Sequence, residues 1–332
     1  MKAIVFERFG EPHDVLTVRD VPLPEPASGE VRVRMKLSPI NPSDLMTVRG
    51  RYGRLPQLPA TPGFEGVGVI DASSGGWLAK LRGLRPGRRV AVLNAGGGNW
   101  KEFVTLSARH VVPVPDDIPD EQVAAFFVNP ATALVMTQHV LQVRRGTWLL
   151  QTGAGSALGR MVIRLGKHLG FRTINLVRRK ELAPELKQLG ADEVLSTAED
   201  RIVSRVTEIT QGAMVPYALD CIGGPGVVDV VQSLGPQGRL LVYGTLSDEP
   251  VPLDTRSLMV GQRIMEGFWL SEWVKQQGIL RMLGLFRQII SLLRAGVLTT
   301  PVAATYGFDQ LPQAIEHVEK AARGGKILLR LA

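Results

Sequence analysis

The run Thr152-Gly-Ala-Gly-Ser-Ala-Leu-Gly159 follows a strand-like segment, TWLLQ, and opens a helix-patterned one, Ser156 to Leu169. Strand, glycine-rich turn and helix start form a cradle for phosphate. The first N–H groups of a helix lack intrahelical partners, and the helix dipole favours an anion there. The glycines fall at 153, 155 and 159, which departs from the standard dinucleotide spacing, so the flanking strand and helix carry the reading. An ordinary tight turn is the bland alternative, and the strands that follow rank it lower. At the end of the next strand-like run, RTINLV, stand Arg178, Arg179 and Lys180, with Glu181 only after them. An NAD site places Asp or Glu near this point to hold the ribose 2′-OH. Guanidinium and ammonium groups suit a 2′-phosphate instead, and cations at a helix start oppose its dipole, so NADPH is favoured over NADH.

Metal chemistry has little to stand on. The histidines, at 13, 110, 139, 168 and 317, are scattered without ligand pairing, and Cys221 is the one cysteine. A single thiol excludes an intramolecular disulfide and a thiolate-based structural zinc site. Hydride acceptance must then be assisted by a proton donor or by hydrogen bonds.

The chain has 332 residues, 45% hydrophobic and 21% charged, which suits about two domains with real cores. Its net charge of +8 raises a nucleic-acid reading. The densest basic stretch, Lys80 to Arg89, is interrupted by Gly83, Pro86 and Gly87, and the other clusters are dispersed. Nucleic-acid binders concentrate charge on one face or arm, so solvated faces are the better reading and no nucleic-acid partner is expected. No apolar run reaches the ~18 residues of a membrane-spanning helix. The opening MKAIVFERFGEP reads as strand and turn rather than a targeting peptide. A cytoplasmic protein without a membrane partner is expected.

Positioning elements follow from pattern. Residues 1 to 125 read as short strands punctuated by Gly and Pro, a barrel-like β domain. A helical stretch from Asp120 breaks at Asn129-Pro130. From Gly146 strand and helix alternate with short connections, which predicts a doubly wound parallel sheet. Ile279 to Leu298 reads as an amphipathic helix despite its apolar look, because Arg281, Arg287 and Arg294 share a face. A helix from Asp309 to Ala322 and a strand, KILLRL, close the chain, the strand returning to the β domain. The fold class is α/β, with a β-rich domain at 1–126 and 271–332 and a Rossmann cofactor domain at 127–270.

Several segments carry a family resemblance: INPSDLMTVRGRYG, GFEGVGVI, FFVNPATA, RTINLVRRK, GFWLSEW and the closing GGKILL. Over nearly its whole length the chain resembles the zinc-free branch of the medium-chain dehydrogenase/reductase superfamily, whose β-rich domain is GroES-like. Phe64 and Asn41 stand where zinc enzymes carry a His and a Cys ligand. Within the branch it looks most like the mitochondrial-type trans-2-enoyl-thioester reductases, and INPSD, the NPATA-like run and the glycine loop are shared with quinone oxidoreductases.

The resemblance implies NADPH-dependent reduction of the 2,3-double bond of an enoyl thioester of coenzyme A or acyl carrier protein. Tyr52 would be the proton donor, since a neutral phenol can hydrogen-bond an enolate and then protonate it. Asn41 would be a polar contact in the same cleft. The implied cofactor contacts are Asn129 near the nicotinamide ribose, Thr132, and Gly155, Ser156, Ala157 and Leu158 at the pyrophosphate. Arg178, Arg179 and Lys180 would take the 2′-phosphate. Tyr243, Gly244, Thr245 and Leu246, with Phe268, Trp269, Leu270 and Ser271, would frame the nicotinamide, and Lys326 would reach back from the tail. A homodimer joined through edge strands near residues 240 to 270 is also implied. An NADPH:quinone or alkenal reductase is the alternative, and a non-catalytic NADPH-binding sensor or structural protein an alternative of another class. Two departures stand out: Ala157 where the family places Gly, and SSGGWLAKLRGLRPGRR, a loop more basic than the family's and a candidate contact for an acidic carrier.

Overall fold

The structure, a computed structural model, describes residues 1–320 and 324–332. It divides into two compact units, Met1–Val128 with Thr299–Ala332, and Asn129–Leu298.

In the second unit the parallel sheet runs in the spatial order Glu193–Ser196, Arg172–Val177, Trp148–Gln151, Val215–Asp220, Leu234–Val242, Ile264–Gly267. Every neighbouring pair is parallel. In chain order this is 3-2-1-4-5-6, the doubly wound arrangement whose ligands sit beyond the strands' carboxyl ends. The strands Trp148–Gln151 and Arg172–Val177 are buried apart from their first residues, as central parallel strands must be. The helix Ala157–Leu169 turns an apolar face of Leu158, Met161, Val162 and Leu165 inward and stops at Gly170, whose φ of 84° is left-handed.

The first unit is built on a sheet ordered Val302–Tyr306, Lys326–Arg330, Glu30–Pro39, Glu65–Ser73, Arg89–Leu93, Val111–Pro113, with Phe103–Ser107 also paired to Glu30–Pro39. The closing strand returns to the β domain as expected, antiparallel to Glu30–Pro39 with Leu328 opposite Pro39. Trp100, Phe6, Met35 and Ile40 are fully buried in this unit's core.

Four expectations change. Residues 1 to 125 are not all strand, because Pro42–Val48 and Gly76–Leu81 are helical. The break after Asp120 falls at Ala125 rather than at Asn129-Pro130. Pro130 lies inside the first turn of the helix Val128–Leu134, where its missing N–H removes no helical bond. The boundary at residue 271 moves to Thr299, since the helix Ile279–Arg294 belongs with the parallel sheet. Arg164 Nε donates to Val297 O at 2.8 Å, and the Trp273 ring lies 5.7 Å from that of His139. These contacts bind 271–298 to the second unit. The helix expected to end at Ala322 covers Leu311–Glu319, and its expected last residues lie outside the described ones.

Candidate active site

In the second unit the phosphate cradle is closely built. Ser156 has an extended backbone (φ −72°, ψ 165°) and caps the helix, its side chain accepting from Gly159 N at 3.1 Å. Such a cap is worth about 1 kcal/mol. Gly153 has φ +58°, and a Cβ there would lie 2.6 Å from Cys221 Sγ. A Cβ on Gly159 would lie 2.6 Å from Ala154 Cα, so helix and turn are in backbone contact. Ala157 opens the helix at the turn, and Leu158 is buried. Arg160 Nε donates to Gly155 O at 3.1 Å while its other nitrogens grip Glu185, which braces the turn from outside.

Asp220 joins the neighbouring strand tips. Its Oδ1 accepts from Thr152 Oγ1 at 2.6 Å and its Oδ2 from Gly223 N at 2.8 Å. Tyr243 N donates to Asp220 O at 2.8 Å, and Leu246 N to Cys221 O at 3.1 Å. The segment Tyr243, Gly244, Thr245, Leu246 is therefore laid along residues 220–222. A Cβ on Gly244 would sit 2.9 Å from Cys221 O, which explains a glycine there. Phe268 N donates to Val242 O at 2.8 Å, so Phe268, Trp269, Leu270 and Ser271 leave the adjacent strand at the same end. Burial raises the Cys221 thiol to about 11 and lifts the Tyr243 phenol well above its ordinary value. Both stay neutral near pH 7, so neither serves as an anionic nucleophile or base.

Arg178 and Arg179 are exposed at the carboxyl end of Arg172–Val177, and among the described residues neither forms an ion pair. Lys180 differs: its Nζ meets Glu199 Oε2 at 2.9 Å. Both partners are exposed, and such a pair is weak enough to exchange for a phosphate. Thr132 is buried in the helix Val128–Leu134, which also carries Asn129 in its first turn.

In the first unit the two expected polar residues meet in the interior. Asn41 caps the helix Pro42–Val48 and is 1% exposed. Its backbone N–H donates to Asp44 Oδ2 at 2.7 Å, and its Nδ2 donates to Glu65 Oε1 at 3.1 Å. Its Oδ1 accepts from Lys326 Nζ. Glu65 Oε2 takes the N–H groups of Phe127 and Val128 at 2.9 and 2.8 Å, so the carboxylate caps the segment leading into the next helix. Burial raises Glu65 above its ordinary range and Asp44 to about 7, and the Lys326 charge opposes both shifts. The structure gives Asn41 and Lys326 to each other, spending both ends of the Asn41 amide inside the fold. They are parts of one buried polar framework.

That framework reaches Tyr52. Asp44 Oδ1 accepts from Phe64 N at 3.2 Å, and the Phe64 ring lies 5.3 Å from the Tyr52 ring at an interplanar angle of 40°. Tyr52 is partly exposed. Sequence reasoning missed Asp44, Glu65, Asp220 and Arg160. The Asn-Pro-x-Asp pattern at 41–44 was a visible signal for a capped helix, whereas nothing local marks Glu65 or Arg160.

Two family models match the chain: an alcohol dehydrogenase GroES-like domain over residues 27–116, and a zinc-binding dehydrogenase over 157–285. The mitochondrial enoyl-[acyl-carrier-protein] reductase of Rattus norvegicus is 33% identical over 320 residues, covering 95% of this chain and 85% of that protein. The chain belongs to the medium-chain dehydrogenase/reductase superfamily. Its likeness to enoyl-[acyl-carrier-protein] and quinone reductases places it in the zinc-free branch. A candidate NADPH:quinone reductase from Bacillus thuringiensis shares its fold with a TM-score of 0.93 and 34% identity, covering 100% of this chain and 99% of that one. A mycobacterial protein solved in complex with NADPH has a TM-score of 0.89 at 27% identity, covering 99% and 100% of the two chains.

Proposed function

We propose that this chain uses NADPH to reduce the 2,3-double bond of trans-2-enoyl thioesters. The observation that carries the reading is a partly exposed phenol, Tyr52, seated on Phe64, whose backbone is anchored by a buried carboxylate. The likeness to the enoyl-[acyl-carrier-protein] reductase of rat supports it across nearly the full length. The second unit fits the cofactor: a capped helix start behind close-packed glycines offers free N–H groups at Ala157 and Leu158 for the pyrophosphate. The exposed Arg178 and Arg179, with Lys180, would take the 2′-phosphate. Tyr243 to Leu246 and Phe268 to Ser271 would border the nicotinamide, and Asn129 and Thr132 its ribose.

When bound, NADPH supplies the hydride that adds to Cβ. The π pair of the double bond then moves toward the thioester oxygen as an enolate. Tyr52 donates a hydrogen bond to that anion and delivers its proton to Cα; the phenolate recovers a proton from water. A phenol is suited to this step, because it ordinarily keeps its proton at neutral pH.

A second reading, reduction of quinones, is favoured by the 34% identity with the Bacillus thuringiensis candidate quinone reductase. NADPH oxidation measured with crotonyl-CoA, longer enoyl-CoA thioesters and a quinone panel separates the two. Turnover of thioesters is expected. Oxidation with quinones and none with any thioester contradicts the proposal.

A homodimer is part of the proposal. Leu246, Met259, Val260 and Ile264 are exposed apolar residues on or near the edge strand Ile264–Gly267, a surface that a second copy would cover. Among the described residues no helix is long and apolar enough to cross a membrane.

A further inference from the structure

The basic loop of the first unit forms a surface that the proposed chemistry does not use. The short helix Gly76–Leu81 and the turns after it are fixed from below: Ala79 and Leu84 are buried, and Leu84 N donates to Ala79 O at 2.8 Å. Arg82 Nη1 donates to Ala108 O at 2.7 Å. Above this base lies a concavity of about 450 Å³ lined by Lys80, Arg82, Arg85 and Arg88. Among the described residues none of the four has an ion-pair partner, whereas Arg32, Arg49 and Arg89 of the same unit are each paired with carboxylates. No Asp or Glu occurs between Asp71 and Glu102. Arg82 is half-buried and ends on carbonyl oxygen, an arrangement that an incoming anion would relieve.

An apolar pair adjoins this concavity. Trp77 and Leu81, one helical turn apart, are each 75% exposed. Tryptophan and leucine beside a cationic ring make the pattern of surfaces that rest in the headgroup layer of anionic bilayers. A concavity of this volume suits a phosphate headgroup better than a flat protein face.

We propose that Lys80, Arg82, Arg85 and Arg88, with Trp77 and Leu81, form a docking surface for anionic phospholipid membranes. This reverses the expectation of no membrane partner, which rested on the lack of a spanning-length apolar run and did not weigh surface contact. Delivery of substrate by an acidic carrier at this loop is disfavoured by position. Glu65, next to Phe64 and Tyr52, starts the strand Glu65–Ser73, and the basic loop leaves its other end, about 25–30 Å away at ~3.3 Å per residue. Membrane docking stands on this charge geometry whether or not the substrate is a thioester.

The test is co-sedimentation with vesicles of phosphatidylcholine and phosphatidylglycerol at 7:3, against pure phosphatidylcholine. Binding to the anionic vesicles alone is expected, with a steep loss on raising NaCl from 0.05 to 0.3 M, a readout that needs no variant. Arg85→Ala with Arg88→Ala should weaken it about 25-fold, near 5-fold per cation, and Trp77→Ala should weaken it further. Equal binding to neutral vesicles, no binding, or binding indifferent to the arginine substitutions overturns the proposal. Arginine-dependent binding of acyl carrier protein or of inorganic pyrophosphate without vesicle binding also overturns it, and assigns the surface to that ligand.

Discussion

The Lys326 ammonium donates to the side-chain oxygen of Asn41, 285 positions earlier in the chain, inside the first unit and nearly shut off from solvent. One buried cation there faces two buried carboxylates, Asp44 and Glu65, whose ionisation it favours. The closing strand, the cap of Pro42–Val48 and the support of Phe64 are thereby parts of one polar network. The register that brings them together is set by Ile40 N donating to Ile327 O at 3.0 Å.

Removing that cation should be costly. Lys326→Met keeps the volume and leaves two buried carboxyl groups without their counter-ion, an effect of about 3–5 kcal/mol. The melting temperature should fall clearly at pH 8 and less at pH 5, where the carboxyl groups can protonate. A loss equal at both pH values contradicts the assignment of Lys326 to this network.

Asp44 should leave a pH signature. Its folded value of about 7 lies above the ordinary 3.8, so between these limits the folded state holds more protons than the unfolded one. Its contribution to stability is complete below pH ~4 and is lost as pH rises through ~7. Asp44→Asn cannot titrate there. The melting temperature of this variant minus that of the parent should climb from pH 4 to 7 and then level off. A flat difference would show that Asp44 ionises normally.

Arg178→Ala with Arg179→Ala should abolish the preference for NADPH. Charge-assisted hydrogen bonds are worth roughly 1.5–3 kcal/mol each, so the ratio of kcat/KM for NADPH over NADH should fall at least 10-fold, mainly through the NADPH term. An unchanged ratio removes the pair from the 2′-phosphate site.

Much of this was readable in the chain because the signals were local. The alternation after Gly146 needs only periodicity, and it led to the parallel sheet with its glycine turn and its arginines at the second strand's end. The helices Pro42–Val48 and Gly76–Leu81 escaped because seven and six residues amid Gly and Pro show too few turns for a period. The partnership of Asn41 with Glu65 and Lys326 escaped for another reason. It depends on which strands lie side by side, and strand order in the first unit follows no local pattern. The helix Ile279–Arg294 was seen as a helix, yet its unit was not, because an amphipathic face does not say what it covers.

The central claim rests on Tyr52 as the proton donor to Cα, and one variant tests it. For Tyr52→Phe, kcat with crotonyl-CoA should drop by roughly 10²–10⁴, the usual range for a lost general acid. NADPH affinity should be unchanged, and any quinone turnover, which needs no proton at carbon, should be retained. Crotonyl-CoA and quinone turnover that both persist undiminished in Tyr52→Phe would contradict the account.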